Sequence, residues 1–173
     1  QNIDFWNFKD VWSKVTVPTC QVTGWWDRII GTIDNFNGVV EQGAVGSRAQ
    51  HRLVIGPWGH SPDSFERNQG PLDLGPDADW PYEEVIARWY DWQFKAEFNG
   101  LENEPPVRLF VMGENRWRWE NEWPLARTRY VNYFLSSAGS AETAFGDGVL
   151  STDKLSEGAP ADTYDYDPND PVM

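Results

Sequence analysis

The spacing of apolar and polar positions divides the chain into strand-like and helix-like segments. Short apolar runs bounded by Pro and Gly are typical of strands, and apolar residues repeated every three to four positions are typical of amphipathic helices. The pattern predicts strands over 19–24 and 51–56, helices over 4–15, 28–43 and 81–100, and an irregular loop over 57–80. This alternation of strand and helix predicts an α/β arrangement with parallel strands.

The helix over 81–100 has the clearest pattern. Its apolar stripe consists of Tyr82, Val85, Ile86, Trp89, Tyr90, Phe94 and Phe98. We expect this stripe to face the core, and we expect Gly100 to end the helix.

The character of the sequence changes at the Pro-containing segment 102–107. Strand-like runs at 107–113 and 129–137 follow it, together with Gly-Asp-Gly and Asp-Pro turn signals and no further helical pattern. We therefore predict two domains, 1–104 as the tail of an α/β domain and 105–173 as the beginning of a β domain.

Composition and charge exclude several classes of partner. The chain has 173 residues, a net charge of −13, one cysteine and 11 tryptophans. Binding of nucleic acid or of an anionic membrane surface needs clustered Lys and Arg, so neither partner is expected. Because Cys20 has no second cysteine to pair with, nothing favours an oxidising compartment, and the cytoplasm is the expected location.

Two titratable residues follow the two predicted parallel strands. Asp27 comes just after 19–24 and His60 just after 51–56, 33 residues apart. Functional groups gather at the carboxyl ends of strands in open α/β sheets, where an aspartate could orient an imidazole that acts as a base. From spacing alone, an ordinary cap and a surface ring remain the alternative.

Three separated segments carry a resemblance to a known family. They are "VPTCQVTGWWD", "HRLVIGPWGHS" and "ENEPPVRLFVMGENRWRWENEWPLARTRY". Together they resemble the CocE/NonD hydrolases, a group of serine esterases, acylases and X-Pro dipeptidyl-peptidases. The resemblance implies the end of an α/β-hydrolase sheet followed by the start of a jelly-roll β domain.

The resemblance also implies the chemistry. Asp27 would be the acid and His60 the base of a Ser-His-Asp triad that cleaves ester or amide bonds. The family's Gly-x-Ser-x-x-Gly elbow has no match here, since neither Ser47 nor Ser61 lies in such a sequence. The chain would then be an internal piece of a longer hydrolase, whose remainder is its partner and supplies the serine.

Several further residues have expected roles. Trp58 and Ile29, each two residues from a predicted triad member, are expected to line a pocket for a small ester or amide substrate, although Trp58 could equally pack beneath the loop. His51 is expected to be a surface histidine. No cofactor and no metal site are expected, because two histidines and one cysteine lack ligand spacing. The alternative function is a tryptophan-rich carbohydrate-binding module.

Overall fold

The computed structural model describes residues 11–60, 65–143, 145–154, 158 and 160–169. The chain forms two compact units, Gln1–Ala126 and Arg127–Met173. The elements of the first unit are β1 (Cys20–Gly24), α1 (Ile29–Gln42), β2 (Arg52–Gly56), β3 (Asn68–Gln69), β4 (Leu72–Asp73), α2 (Tyr82–Lys95), β5 (Val107–Val111) and β6 (Arg116–Glu120).

The first unit is built on a four-stranded mixed sheet. Its spatial order is β1-β2-β5-β6, with β1 parallel to β2, β2 parallel to β5, and β6 antiparallel to β5. The structure confirms the strands predicted over 19–24 and 51–56 and the helix predicted over 28–43. Each of their ends lies within one residue of its predicted position. The α/β class follows from this sheet and its helices.

Each face of the sheet is covered by its own apolar cluster. On one face Phe36 of α1 packs against Leu53, Ile55, Val107 and Leu109, all almost completely buried. On the other face the buried cluster consists of Val54, Trp58 and Trp80, with Val85 of α2 packed against it. Burial on both faces explains why β2 is a continuous apolar run instead of an alternating one.

In the second unit, the described strands form one small antiparallel pair. Its strands are β7 (Phe134–Ser136) and β8 (Val149–Ser151). The carboxylate of Asp162 accepts hydrogen bonds from the Ser137 hydroxyl at 2.6 Å and the Ala141 amide at 2.7 Å, which ties a later segment to this pair. The jelly-roll arrangement expected for 105–173 stays a prediction.

The compact units of the structure and the predicted domains divide the chain at different places. The sequence predicts that the strand after 102–107 begins a separate β domain, but β5 extends the first sheet, with Val107 opposite Leu53. The two compact units divide after Ala126, and the domain boundary after residue 104 stays a prediction. The composition change at 102–107 marks a 3₁₀ turn, Leu101–Asn103, followed by two prolines that lead into β5.

The second helix is shorter and less buried than its sequence suggests. Helix α2 ends at Lys95, because Ala96 adopts a left-handed conformation (φ 55°) before Gly100 is reached. Trp89 is buried, whereas Tyr90, Phe94 and Phe98 are 50%, 78% and 82% exposed, so the expected core stripe is only partly correct. Together with Tyr82, four of the seven stripe residues are therefore exposed.

Other predicted elements also differ from those in the structure. Of the helix predicted over 4–15, positions 4–10 lie outside the described residues and Trp12–Lys14 is a single 3₁₀ turn. The loop 57–80 contains the short β3–β4 hairpin, and the strand expected over 129–137 is limited to β7. Within the described ranges, no helix has the length and apolar character needed to cross a membrane.

Candidate active site

The carboxyl ends of β1 and β2 lie side by side. The two strands pair in register over five positions, and their last residues, Gly24 and Gly56, are opposite each other. Asp27 follows three residues after one strand and His60 four residues after the other. A parallel pair in this register brings both turns to the same edge of the sheet, as the sequence predicts.

Backbone hydrogen bonds fasten the two turns to each other. The Trp25 amide donates to the Gly56 carbonyl at 2.9 Å, and the Trp26 amide donates to the Trp58 carbonyl at 3.0 Å. The Asp27 amide closes its own turn on the Gly24 carbonyl at 3.1 Å. The position of the Asp27 side chain relative to the second turn is therefore set by main-chain contacts.

Glycine is required where the two turns touch. A Cβ built on Gly24 would lie 2.0 Å from the carbonyl oxygen of Trp58. A Cβ on Gly56 would lie 2.3 Å from the indole of the same tryptophan. The paired glycines at two strand ends are a sequence signal for this close approach that the pattern of apolar and polar positions does not reveal.

Asp27 and His60 are hydrogen-bonded. Oδ1 of Asp27 lies 2.9 Å from Nδ1 of His60, which confirms the predicted contact. The aspartate side chain is 17% exposed and the histidine side chain 85% exposed. With Nδ1–H donating to the carboxylate, Nε2 carries the free lone pair and is the atom that can accept a proton.

The two indoles before Asp27 have different roles. Trp25 points inward, where its Nε1 donates to the Phe110 carbonyl on β5 at 2.7 Å and its ring lies 5.9 Å from that of Trp123. Trp26 is 57% exposed beside the aspartate. The first indole thus anchors the turn to the sheet, and the second leaves an aromatic surface at the candidate site.

The two residues expected to line a substrate pocket, Trp58 and Ile29, pack against core residues. Trp58 has no exposed surface, stacks on Trp80 with ring centroids 4.7 Å apart, and donates through Nε1 to the Ala78 carbonyl at 3.3 Å. It supports the His60 turn from beneath, so its expected role as a pocket wall is corrected. Ile29 is half-buried at the start of α1 and packs against the core cluster beneath that helix.

The structure also corrects the expected position of His51. The sequence predicts a surface position, yet this residue is completely buried before β2. Its Nδ1 accepts a hydrogen bond from the Thr19 amide at 3.1 Å and lies 2.9 Å from the Thr19 hydroxyl. Burial, and secondarily the Arg52 guanidinium, lower the pKa of His51, so this ring stays neutral and joins the starts of the first two strands.

Other candidate groups do not add to the site. The Ser47 side chain is buried and donates to the Ala44 carbonyl at 3.0 Å, as in an ordinary turn. Ser61 lies outside the described residues. In the described part of the chain, no three His, Cys, Asp or Glu side chains are grouped in a way that could hold a metal ion.

Comparisons with known proteins show the family of the chain. Residues 1–62 match the family model of the X-Pro dipeptidyl-peptidase (S15 family), and residues 99–172 match that of the X-Pro dipeptidyl-peptidase C-terminal non-catalytic domain. The chain is 37% identical over 161 residues to cocaine esterase from Rhodococcus sp. (strain MB1 Bresler). The chain belongs to the CocE/NonD family of hydrolases. The alignment covers 91% of this chain and 27% of that esterase, so the chain spans about a quarter of its relative.

Similarity to solved structures bears on the fold alone. An aminopeptidase from the marine sediment archaeon Thaumarchaeota archaeon superposes with a TM-score of 0.57 and 23% identity, covering 75% of this chain and 21% of that one. A CocE/NonD family hydrolase from Staphylococcus aureus has a TM-score of 0.47 and 16% identity over 73% of this chain and 20% of its own. The second similarity is too weak for further inference. The first supports the α/β fold of the chain.

Proposed function

We propose that this chain supplies the acid and the base of a Ser-His-Asp triad in a hydrolase that cleaves ester or amide bonds. Asp27 orients His60, and His60 activates a serine that belongs to the remainder of the protein. The observation that carries the proposal is the 2.9 Å contact between Asp27 Oδ1 and His60 Nδ1 at the carboxyl ends of two parallel strands.

The geometry suits a two-step acyl transfer. Nε2 of His60 would take the proton from the serine Oγ as that oxygen attacks the acyl carbon. The imidazolium would then give this proton to the leaving alkoxide or amine, and the acyl-enzyme would be hydrolysed by a water activated at the same nitrogen. Asp27 stabilises the imidazolium in both steps and itself stays ionised.

The partner required by this proposal is the rest of the hydrolase. β1 is an edge strand of the described four-stranded sheet, so one side of its backbone is open to a further strand. A parallel strand added there would bring another carboxyl end beside Asp27, which is where a strand–turn–helix elbow could present a serine. We further propose that residues 105–173 begin a jelly-roll domain, in keeping with the non-catalytic domain match over 99–172.

The test uses the protein that contains this chain and a nitrophenyl ester. His60→Ala should lower kcat by about 10⁴-fold or more, and Asp27→Asn by up to about 10⁴-fold, because triad members act as a unit. Asp34→Asn on the exposed side of α1 makes the same charge change away from the site and should leave kcat unchanged. A His60→Ala protein that retains most of its ester turnover would refute the assignment.

Labelling with a fluorophosphonate locates the nucleophile. We expect the labelled serine to lie outside residues 1–173. We also expect the 173-residue chain alone to show no acyl-enzyme turnover, since under this proposal the remainder of the hydrolase supplies the serine and the oxyanion donors, which contribute about 2.7–4 kcal/mol each. Stoichiometric labelling of a serine within the chain would contradict this division.

The alternative of a carbohydrate-binding module finds little support. A sugar platform needs several exposed, coplanar indoles, whereas Trp58, Trp80 and Trp89 are at most 9% exposed. The rings of Trp58 and Trp80 belong to the apolar cluster on one face of the sheet. Of the ten tryptophans in the described residues, these three are thus part of the core.

A further inference from the structure

A small cavity with largely apolar walls and several arginine side chains lies between α2 and the sheet, apart from the candidate active site. Its volume is about 50 Å³. Its walls include three arginines from three different elements: Arg52 on β2, Arg88 on α2 and Arg108 on β5. Glu104, just before β5, is the one carboxylate among its lining residues.

The charges around this cavity do not balance. Glu104 is already engaged by Arg88, with Oε1 and Nη1 2.9 Å apart. The partners of Arg52 and Arg108 carry no negative charge. Arg52 donates to the Ala49, His51 and Leu101 carbonyls at 2.8–3.1 Å. The guanidinium carbons of Arg52 and Arg108 lie 4.8 Å from the Trp92 centroid and 4.5 Å from the Trp117 centroid. Cys20 also lines the cavity, but burial raises the pKa of its thiol to about 11, so it stays neutral at physiological pH. Two positive charges are left in excess inside a chain whose net charge is −13.

Several hydrogen-bond donors of the lining residues are also unused. Nε of Arg52, Nε of Arg108 and Nε1 of Trp89 are buried and have no partner among the described residues. Arg52 is 6% exposed and Trp89 9% exposed, so bulk water does not satisfy them. A buried N–H without an acceptor costs about 1–3 kcal/mol, and all three groups lack the same thing, an acceptor.

We propose that this cavity binds one small monovalent inorganic anion of about the size of chloride. Such an ion compensates one of the two excess positive charges and accepts N–H donors from several directions without a fixed geometry. The volume of about 50 Å³ is enough for one such ion or a few water molecules. Water would satisfy the donors but would leave the excess charge uncompensated, and the experiments below distinguish the two.

The direct test is diffraction from crystals of the protein that contains this chain, grown or soaked in sodium bromide. We expect an anomalous bromide peak bounded by Arg52, Arg88 and Arg108. A cavity that contains water only, in crystals where bromide is ordered elsewhere on the surface, would overturn the proposal.

The second test follows the thermal unfolding midpoint against chloride concentration, with ionic strength held constant by sodium gluconate, whose anion is too large for the cavity. The midpoint should rise and saturate, because an anion that binds only the folded state stabilises it. Arg108→Gln should weaken the apparent chloride affinity by about tenfold or more, and Glu104→Gln, which removes the competing carboxylate, should strengthen it.

The matched control is Arg116→Gln. Arg116 is an exposed arginine of β6 paired with Glu114, so this variant makes the same charge change outside the cavity and should keep the wild-type chloride response. Opposite shifts at positions 108 and 104 would support an ion in the cavity. Equal chloride responses in the wild type and in Arg108→Gln would refute it.

Discussion

Substitution of Gly24 by alanine should separate the two turns that carry Asp27 and His60. The new Cβ would lie 2.0 Å from the Trp58 carbonyl oxygen and 2.5 Å from its carbonyl carbon, both main-chain atoms that cannot rotate away. The strand ends must move apart, which breaks the 3.0 Å hydrogen bond from the Trp26 amide to that carbonyl. Overpacking of this kind costs about 1–3 kcal/mol and the lost bond about 1 kcal/mol. The free energy of unfolding should therefore fall by about 2–4 kcal/mol.

Urea unfolding of the wild type and Gly24→Ala measures this loss, and the ester assay should show a parallel decrease in kcat. Gly31→Ala is the matched control, because a Cβ there meets nothing within 4 Å and the position is inside α1. In a helix this change should stabilise by about 0.5–1 kcal/mol. If Gly24→Ala unfolds at the wild-type urea concentration, the strand ends are not in the contact described and the argument fails.

Three further predictions concern buried groups. The folded chain keeps His51 neutral, whereas in the unfolded chain this side chain binds a proton below its ordinary pKa of about 6.5. The free energy of unfolding should therefore fall as pH drops from 7 to 5, by at most about 1.4 kcal/mol per pH unit. The fall should be less steep in His51→Gln. Cys20, with a pKa of about 11, should resist iodoacetamide at pH 8 until urea unfolds the protein. Trp25→Phe removes the 2.7 Å bond to the Phe110 carbonyl and should lower stability by about 1–3 kcal/mol in urea unfolding.

Local patterns are sufficient to predict much of the fold. Helix α1 and the first two strands have clear periods bounded by Gly or Pro, and a parallel βαβ unit leaves little choice about where Asp27 and His60 emerge. The contact between these two side chains can therefore be predicted from the amino-acid sequence alone. Their catalytic role is a proposal that rests on the family and on this geometry together.

The sequence predictions that fail depend on contacts between residues that are distant in the sequence. The pattern of 107–111 predicts a strand but does not say that Val107 will pair with Leu53, 54 positions earlier, and so it misses that this strand extends the first sheet. The burial of His51 depends on Thr19 at the start of another strand, which no local period encodes. A stripe at helical spacing likewise does not tell which of its members, such as Trp89 or Phe94, meets the sheet.

The exposure of the candidate pair determines what the rest of the protein must add. With 85% of its side chain exposed, His60 lies in a high-dielectric environment where an imidazolium and a developing oxyanion are already well solvated. Preorganised donors gain most of their catalytic value where water is excluded. In the active hydrolase we propose, the added segments must therefore cover the free Nε2 edge of His60, as well as present the serine and the oxyanion donors to it. A protein whose His60 remains open to solvent beside its serine would be expected to show weak ester turnover.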